Sequence, residues 1–159
     1  MSRLVSSLLV VLLAVGLMCL SACLAGGETH SPQSGAEVRV SRVIDGDTIE
    51  VEGGWRGRYI GIDTPEIHPQ IERYGAEAAA KNRDLVAGRI VRLESDQTDR
   101  DRYDRLLRYV YVDGLFVNAE LVRLGYAHAV AYPPDTKYQE ILARAEEEAK
   151  GAGRGLWGH

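Results

Sequence analysis

The stretch 37–66, EVRVSRVIDGDTIEVEGGWRGRYIGIDTPE, decides the fold. Val38 and Val40 alternate with charged residues, and Ile49 and Val51 do the same after Asp45-Gly46-Asp47. That is the period of strands with one buried face. Gly53-Gly54 is a hairpin signal, Tyr59-Ile60-Gly61-Ile62 resumes the apolar run, and Thr64-Pro65 stops it.

Downstream, an alanine-rich helix is predicted from about Tyr74 to Ala87 with Gly88 as its cap, and Ala78, Leu85 and Val86 share one side. Two further strands follow, Ile90 to Glu94 and Leu106 to Val112, the second closed by Asp113-Gly114. Val117 to Leu124 reads as a short helix ended by Gly125. A last helix is predicted from near Asp135, with Tyr138, Ile141, Leu142 and Ala145 at helical spacing. The pattern predicts an α+β, mainly β domain: a five-stranded OB-fold barrel with three α-helices.

The N-terminal residues read as an export signal. Arg3 precedes the apolar run Leu4 to Met18, which is short for a membrane span. Leu20-Ser21-Ala22-Cys23 resembles the lipobox of bacterial lipoproteins, in which cleavage leaves Cys23 as a lipid-modified N-terminus. An ordinary signal peptide cleaved nearby and an uncleaved anchor are the alternatives. The expected organisation is a signal peptide over 1–22, a flexible tether over 23–36 and one domain over 37–159. The expected location is extracytoplasmic, as an envelope lipoprotein held to the membrane by a lipid on Cys23, or secreted. Cys19 and Cys23 are the two cysteines of the chain, so a domain cleaved before Cys23 has no disulfide and rests on its apolar core.

With 19 Lys and Arg against 23 Asp and Glu, the net charge is −4. This excludes a broadly basic nucleic-acid surface, because non-specific affinity comes largely from neutralising phosphates. Activity on nucleic acid would have to rest on local arginines and bound cations.

Three clusters carry candidate chemistry, and each has a plain structural reading. Asp45-Gly46-Asp47-Thr48 is turn chemistry as it stands. Asp63-Thr64-Pro65-Glu66 follows a strand that contains Arg58. Strict alternation puts Arg58 and Asp63 on opposite faces, so a shared site needs a break or bulge near Gly61. Asp99 to Arg108 alternates charges, as a salt-bridged loop would; it also suits a phosphate-binding arginine loop in which Tyr103 stacks on a base or bonds a phosphate. Together, carboxylates for a hard cation, two arginines and a spare glutamate form a coherent set for phosphodiester hydrolysis.

Val43 to Thr48, Arg58 through Glu66, Tyr74 to Ala78, Tyr103-Asp104-Arg105, Tyr109 to Gly114, Val117 to Arg123 and Arg154 to Trp157 are similar, in order, to the staphylococcal nuclease (thermonuclease) family. The resemblance spans nearly all of Glu37 to Trp157 and implies a calcium-dependent endonuclease. Such an enzyme hydrolyses DNA and RNA with little sequence specificity and leaves 3′-phosphate and 5′-hydroxyl ends. It further implies Asp47, Asp63 and the Thr64 carbonyl as Ca2+ ligands, Glu66 as the residue that activates water, and Arg58 and Arg105 on the scissile phosphate. Arg102 and Tyr103 match nucleotide-phosphate contacts, Tyr132 is the candidate for the base-contacting tyrosine, and Asp45 is left to the turn.

Asp104 departs from the pattern, standing where the family has glycine, and could pair with Arg102 or Arg105 or face solvent. Pro133-Pro134 is a candidate cis bond. Trp157 reads as a core plug, His128 and His159 as incidental, and His68-Pro69 as part of a loop flanking the groove. The expected molecule is a monomer with DNA and RNA as partners and no obligate protein partner. The alternatives are an OB-fold module that binds nucleic acid with weak or lost catalysis, and an envelope interaction domain.

Overall fold

The alternating stretch forms an antiparallel meander in the computed structural model, which describes residues 30–67, 69–70 and 72–158. Its strands are β1 (Glu37–Val43), β2 (Thr48–Val51) and β3 (Trp55–Tyr59). The β1–β2 register shifts between Val40 and Arg42, so Val40 and Val43, three apart, both reach the core. The signal peptide predicted over 1–22, Cys23, the tether as far as 29, His68 and His159 lie outside the described residues.

The run after β3 is broken at Gly61, where φ is +78° and an added Cβ would run into Leu142. Only glycine takes that conformation at that contact without strain. The chain re-emerges as β4 (Ile62–Asp63), which pairs with β8 (His128–Ala129) in a separate two-stranded sheet. This break reconciles Arg58 with Asp63, which a continuous strand would set on opposite faces.

Strands β5 (Ile90–Glu94) and β6 (Leu106–Val112) complete the barrel. Antiparallel pairs join β1 to β5 and β5 to β6, and the parallel pair β3–β6 closes the ring. β7 (Leu115–Phe116) extends β6 as a hairpin. The fold is therefore the expected α+β OB-type architecture, a closed five-stranded barrel with three α-helices among the described residues.

Helix α1 (Gly75–Val86) buries Ala78, Ala79, Asn82 and Val86 and ends before Gly88, whose φ is +69°. α2 (Val117–Arg123) buries Val117, Leu121 and Val122, and its Asn118 ties it to the barrel. The Val110 amide donates to Asn118 Oδ1 at 2.9 Å, while Asn118 Nδ2 donates to the Ile60 carbonyl at 2.9 Å. α3 (Gln139–Gly151) buries Leu142, Ala145 and Ala149.

Two details of α3 differ from the periodicity reading. It starts at Gln139, not near Asp135. The preceding residues form turns in which the Asp135 amide donates to the Tyr132 carbonyl and the Gln139 amide to that of Thr136, and the Asp135 carboxylate accepts the Thr98 amide at 2.8 Å. The Pro133-Pro134 bond is cis, as the sequence suggested. Ile141 remains 43% exposed, so the apolar face is narrower than its spacing suggested. Trp157 is only half-buried, set edge-on to His128 with Lys150 over its ring.

The end of the stretch read as a tether lies against the barrel. The Gly35 amide donates to the Leu93 carbonyl and the Leu93 amide to that of Ala36, while the Ser95 amide donates to Ser34 Oγ. The fully buried Arg108 on β6 reaches the Pro32 carbonyl at 3.1 Å.

Candidate active site

The β1–β2 turn, the end of β3 and the end of β4 bring four of the predicted residues, Asp47, Arg58, Asp63 and Thr64, into one bonded cluster. Asp47 is 3% exposed. Its Oδ2 accepts both the amide and the hydroxyl of Thr64 at 2.9 Å, and its Oδ1 accepts the Thr48 hydroxyl at 3.2 Å. Arg58 completes the cluster with a fork: Nη1 pairs with Asp47 Oδ1 and Nη2 with Asp63 Oδ1 at 2.7 Å. Gly46 permits the approach, since a Cβ there would overlap the Thr64 side chain.

Glu66 is exposed and follows Pro65; its amide donates to Glu72 Oε2 at 3.0 Å and its carbonyl accepts the Glu72 amide. Burial, and next the charge of Asp45, pushes the Glu66 carboxyl above its ordinary range despite the pull of Arg58. Glu66 thus shares the electrostatic neighbourhood of the cluster.

Arg105 comes from the loop between β5 and β6 and is held by Asp101. Its Nε donates to Asp101 Oδ2 at 2.7 Å, while its amide and that of Tyr103 donate to Oδ1 at 3.0 and 2.9 Å. Only the Nε edge is engaged by the acid, so the Nη edge remains for an incoming group. Burial lifts the Asp101 carboxyl, but these bonds outweigh it and hold the group below its ordinary value.

Arg58 and Arg105 face one cavity of about 470 Å³, whose wall also holds Arg102, Tyr103, Leu107 and Tyr132. Arg102 Nη2 donates to Tyr103 Oη at 2.7 Å. Tyr103 and Tyr132 are 65% and 51% exposed, open rings on a wall where a base can stack. Asp104 lies at the corner of the loop with φ +62°, and its carboxylate turns back to Arg100 Nη1 at 2.9 Å. It pairs with neither Arg102 nor Arg105.

Four participants escaped the sequence reading. Asp101 is one acid among several in a run of alternating charge, where only Asp104 was set apart, by standing where the family has glycine. Asp45 does serve its turn, its Oδ1 accepting the Asp47 amide at 3.0 Å. Its carboxyl is also pushed up by burial, against the pull of Thr48, Arg58 and Arg105, so it belongs to the site's field as well. Asn82 of α1 donates to the Asp45 carbonyl and accepts the buried Tyr59 hydroxyl, fixing the turn from beneath.

Among the described residues, no group of three or more His, Cys, Asp or Glu side chains converges as a ready metal cage. The donor chemistry nevertheless fits a hard cation. Asp47 and Asp63 offer carboxylate oxygens beside the Thr64 backbone, and Arg58 now supplies the positive charge both acids require. Burial raises the Asp45 and Glu66 carboxyls, and at Glu66 the nearby acids Asp45, Asp63 and Glu72 add to it, so a cation bound here would meet acidic charge.

Such a barrel, with carboxylates and arginines at the strand ends, defines the class, and comparison with known proteins agrees. The family model described as "Staphylococcal nuclease homologue" matches residues 56–159. The chain is 34% identical to thermonuclease of Staphylococcus intermedius over 159 residues, covering 93% of this chain and 95% of that protein. It is 40% identical to endonuclease YncB of Bacillus subtilis over 141 residues, covering 82% and 67%. It is also 40% identical to the SPbeta prophage-derived endonuclease YokF of the same organism over 131 residues, but spans only 44% of that protein's length. The chain belongs to the staphylococcal nuclease family.

Proposed function

We propose that this protein is an endonuclease that hydrolyses phosphodiester bonds of DNA and RNA with calcium and little sequence specificity. The observation that carries the reading is the Arg58 fork on Asp47 and Asp63, facing the same cavity as Arg105. Phosphodiester hydrolysis needs cationic donors around a phosphorus that gains negative charge in the transition state. Two arginines on separate strands and loops meet that need, and their preorganised forks suit phosphate oxygens better than lysines would.

The residues that would hold calcium are Asp47, Asp63 and the Thr64 carbonyl. Bound there, the cation would supply a charge that orients the phosphate and relieves Arg58 of its carboxylates. Arg58 then donates to the equatorial phosphate oxygens from one side. Arg105, kept at the right angle by Asp101, donates from the other and to the leaving oxygen. Glu66, with its raised carboxyl, orients water and accepts its proton as the water oxygen attacks phosphorus. The P–O5′ bond breaks and the departing oxygen, held by Arg105, takes a proton from solvent, leaving a 3′-phosphate and a 5′-hydroxyl. Tyr132 and Tyr103 flank the cavity as stacking surfaces, and Arg102 contacts a flanking phosphate.

In the same reading the chain is a monomer outside the cytoplasm, carried by a lipid on Cys23 or released after export. Incubation of the whole protein with single-stranded DNA, with calcium or with chelator, tests the proposal. Calcium-dependent fragments that accept a kinase label at their 5′ ends, and that block polymerase extension until dephosphorylated, are expected. Silence with calcium, at a protein level where Asp47→Ala is equally silent, would overturn it; retained binding in that case would favour the non-catalytic module.

A further inference from the structure

Beyond the cleavage site, β3 carries a second arginine on the same outward face. Arg56 precedes Arg58 by two residues, and their partners on β2, Glu50 and Thr48, keep that spacing. Two strand residues span about 7 Å, close to the separation of successive phosphates along an extended single strand.

Arg56 differs from its neighbours in having no salt-bridge partner among the described residues, although, after Arg42, its charge helps hold the Glu50 carboxyl down across the strand pair. Arg58 is paired with Asp47 and Asp63, Arg105 with Asp101, Arg100 with Asp99 and Asp104, and Arg108 with Asp99. Arg56 is exposed and forms no ion pair among the described residues. Glu50, its partner across the strand pair, is held instead by Arg42 at 2.8 Å.

Its surroundings are concave. Arg56 lines a hollow of about 290 Å³ with Gly54, Trp55, Tyr103, Asp104 and Arg105. Tyr103 and Arg105 also line the main cavity, so the two hollows meet along them. A strand whose scissile phosphate lies between Arg58 and Arg105 can continue past Arg105 into this second hollow. In an acidic chain, a guanidinium there with no salt-bridge partner among the described residues is a local attractor for phosphate.

We propose that Arg56 forms a subsite for a phosphate neighbouring the scissile one, so that the protein grips polynucleotide beyond the two nucleotides it separates. This rests on the endonuclease reading and adds to it a residue that binds without taking part in the chemistry. The subsite favours chains over dinucleotides and acts through KM, since a contact made equally before and during reaction leaves kcat alone.

The test compares the whole protein with Arg56→Gln and Arg56→Lys, on a dinucleotide and on a single-stranded oligonucleotide of about twelve nucleotides. For Arg56→Gln, KM on the oligonucleotide is expected to rise about threefold to tenfold at low salt, with kcat and dinucleotide KM unchanged. The slope of log affinity against log salt should shrink by about 0.7, and Arg56→Lys should restore it. An unchanged oligonucleotide KM, or an equal loss on both substrates, would overturn the subsite. Oligonucleotide binding measured in chelator reads the subsite without turnover. If nothing is cleaved, weaker binding by Arg56→Gln sinks the endonuclease reading and upholds the subsite, while equal binding sinks both.

Discussion

Arg58 and Arg108 sit on adjacent strands of one barrel wall, a single register step apart across the parallel β3–β6 pair, yet they do opposite work. Arg108 is 1% exposed and directs its donors mostly at backbone: the carbonyls of Asp99, Leu107 and Pro32, with one bond to the Asp99 carboxylate. These are backbone groups fixed by the fold, and the Asp99 carbonyl also accepts the Leu107 amide, so the guanidinium is part of the frame. Arg58 directs both Nη atoms at carboxylates, Asp47 and Asp63, which can be shared with a cation. Burial alone does not tell a structural arginine from a functional one; the exchangeability of its partners does.

Removing each arginine in turn separates frame from site. Arg58→Ala should lower kcat for calcium-dependent cleavage by about 10²–10³-fold, as loss of a preorganised transition-state donor does, while the protein still unfolds in one cooperative transition. Single-turnover rates at saturating calcium and substrate measure it. Arg108→Ala should instead cost about 2–4 kcal/mol of stability in urea unfolding, from orphaned carbonyls and a cavity. Its kcat should stay near normal wherever the protein remains folded. Swapped phenotypes would mean that the partners were misjudged.

A smaller effect separates frame from site by pH. Burial pushes the Glu94 carboxyl up, but hydrogen bonds from Lys137, Tyr138 and Arg92 outweigh it and hold it below the ordinary 4.5. A depressed acid binds fewer protons folded than unfolded, so its stabilisation is present above the ordinary value and is lost as pH falls through the lowered one. Glu94→Gln should therefore be less stable by about 1 kcal/mol at neutral pH, and the gap should close on acidification below 4.5. A gap constant with pH would place the effect in packing.

The smallest change is expected at Asp104. Glycine relieves its left-handed backbone and removes an exposed pair with Arg100 worth little. Asp104→Gly should shift stability by less than about 1 kcal/mol and lower KM modestly by removing negative charge beside Arg105. Urea midpoints and a KM comparison check both parts.

Much of this architecture was legible in the sequence, because alternation and turn residues report burial directly. The meander over 37–59, the strands Ile90–Glu94 and Leu106–Val112, and helices α1 and α2 fall within a residue or two of their predicted places. What stayed hidden depends on contacts distant in sequence. The β4–β8 pairing joins Asp63 to His128 across the chain, and no local pattern announces it. Asp101 and Asp104 flank the same arginine loop, and only the left-handed corner at Asp104 decides that Asp101 holds Arg105 while Asp104 turns to Arg100. Arg108 looked like one more charge in an alternating run until its partners proved to be mostly backbone carbonyls.

The claim on which the rest depends is that Arg58 and a hard cation compete for Asp47 and Asp63. Calorimetric titration of calcium into the protein without nucleic acid, beside Arg58→Gln, measures this directly. The variant, with both carboxylates released, should bind calcium more tightly than the parent; equal or weaker binding would contradict the account.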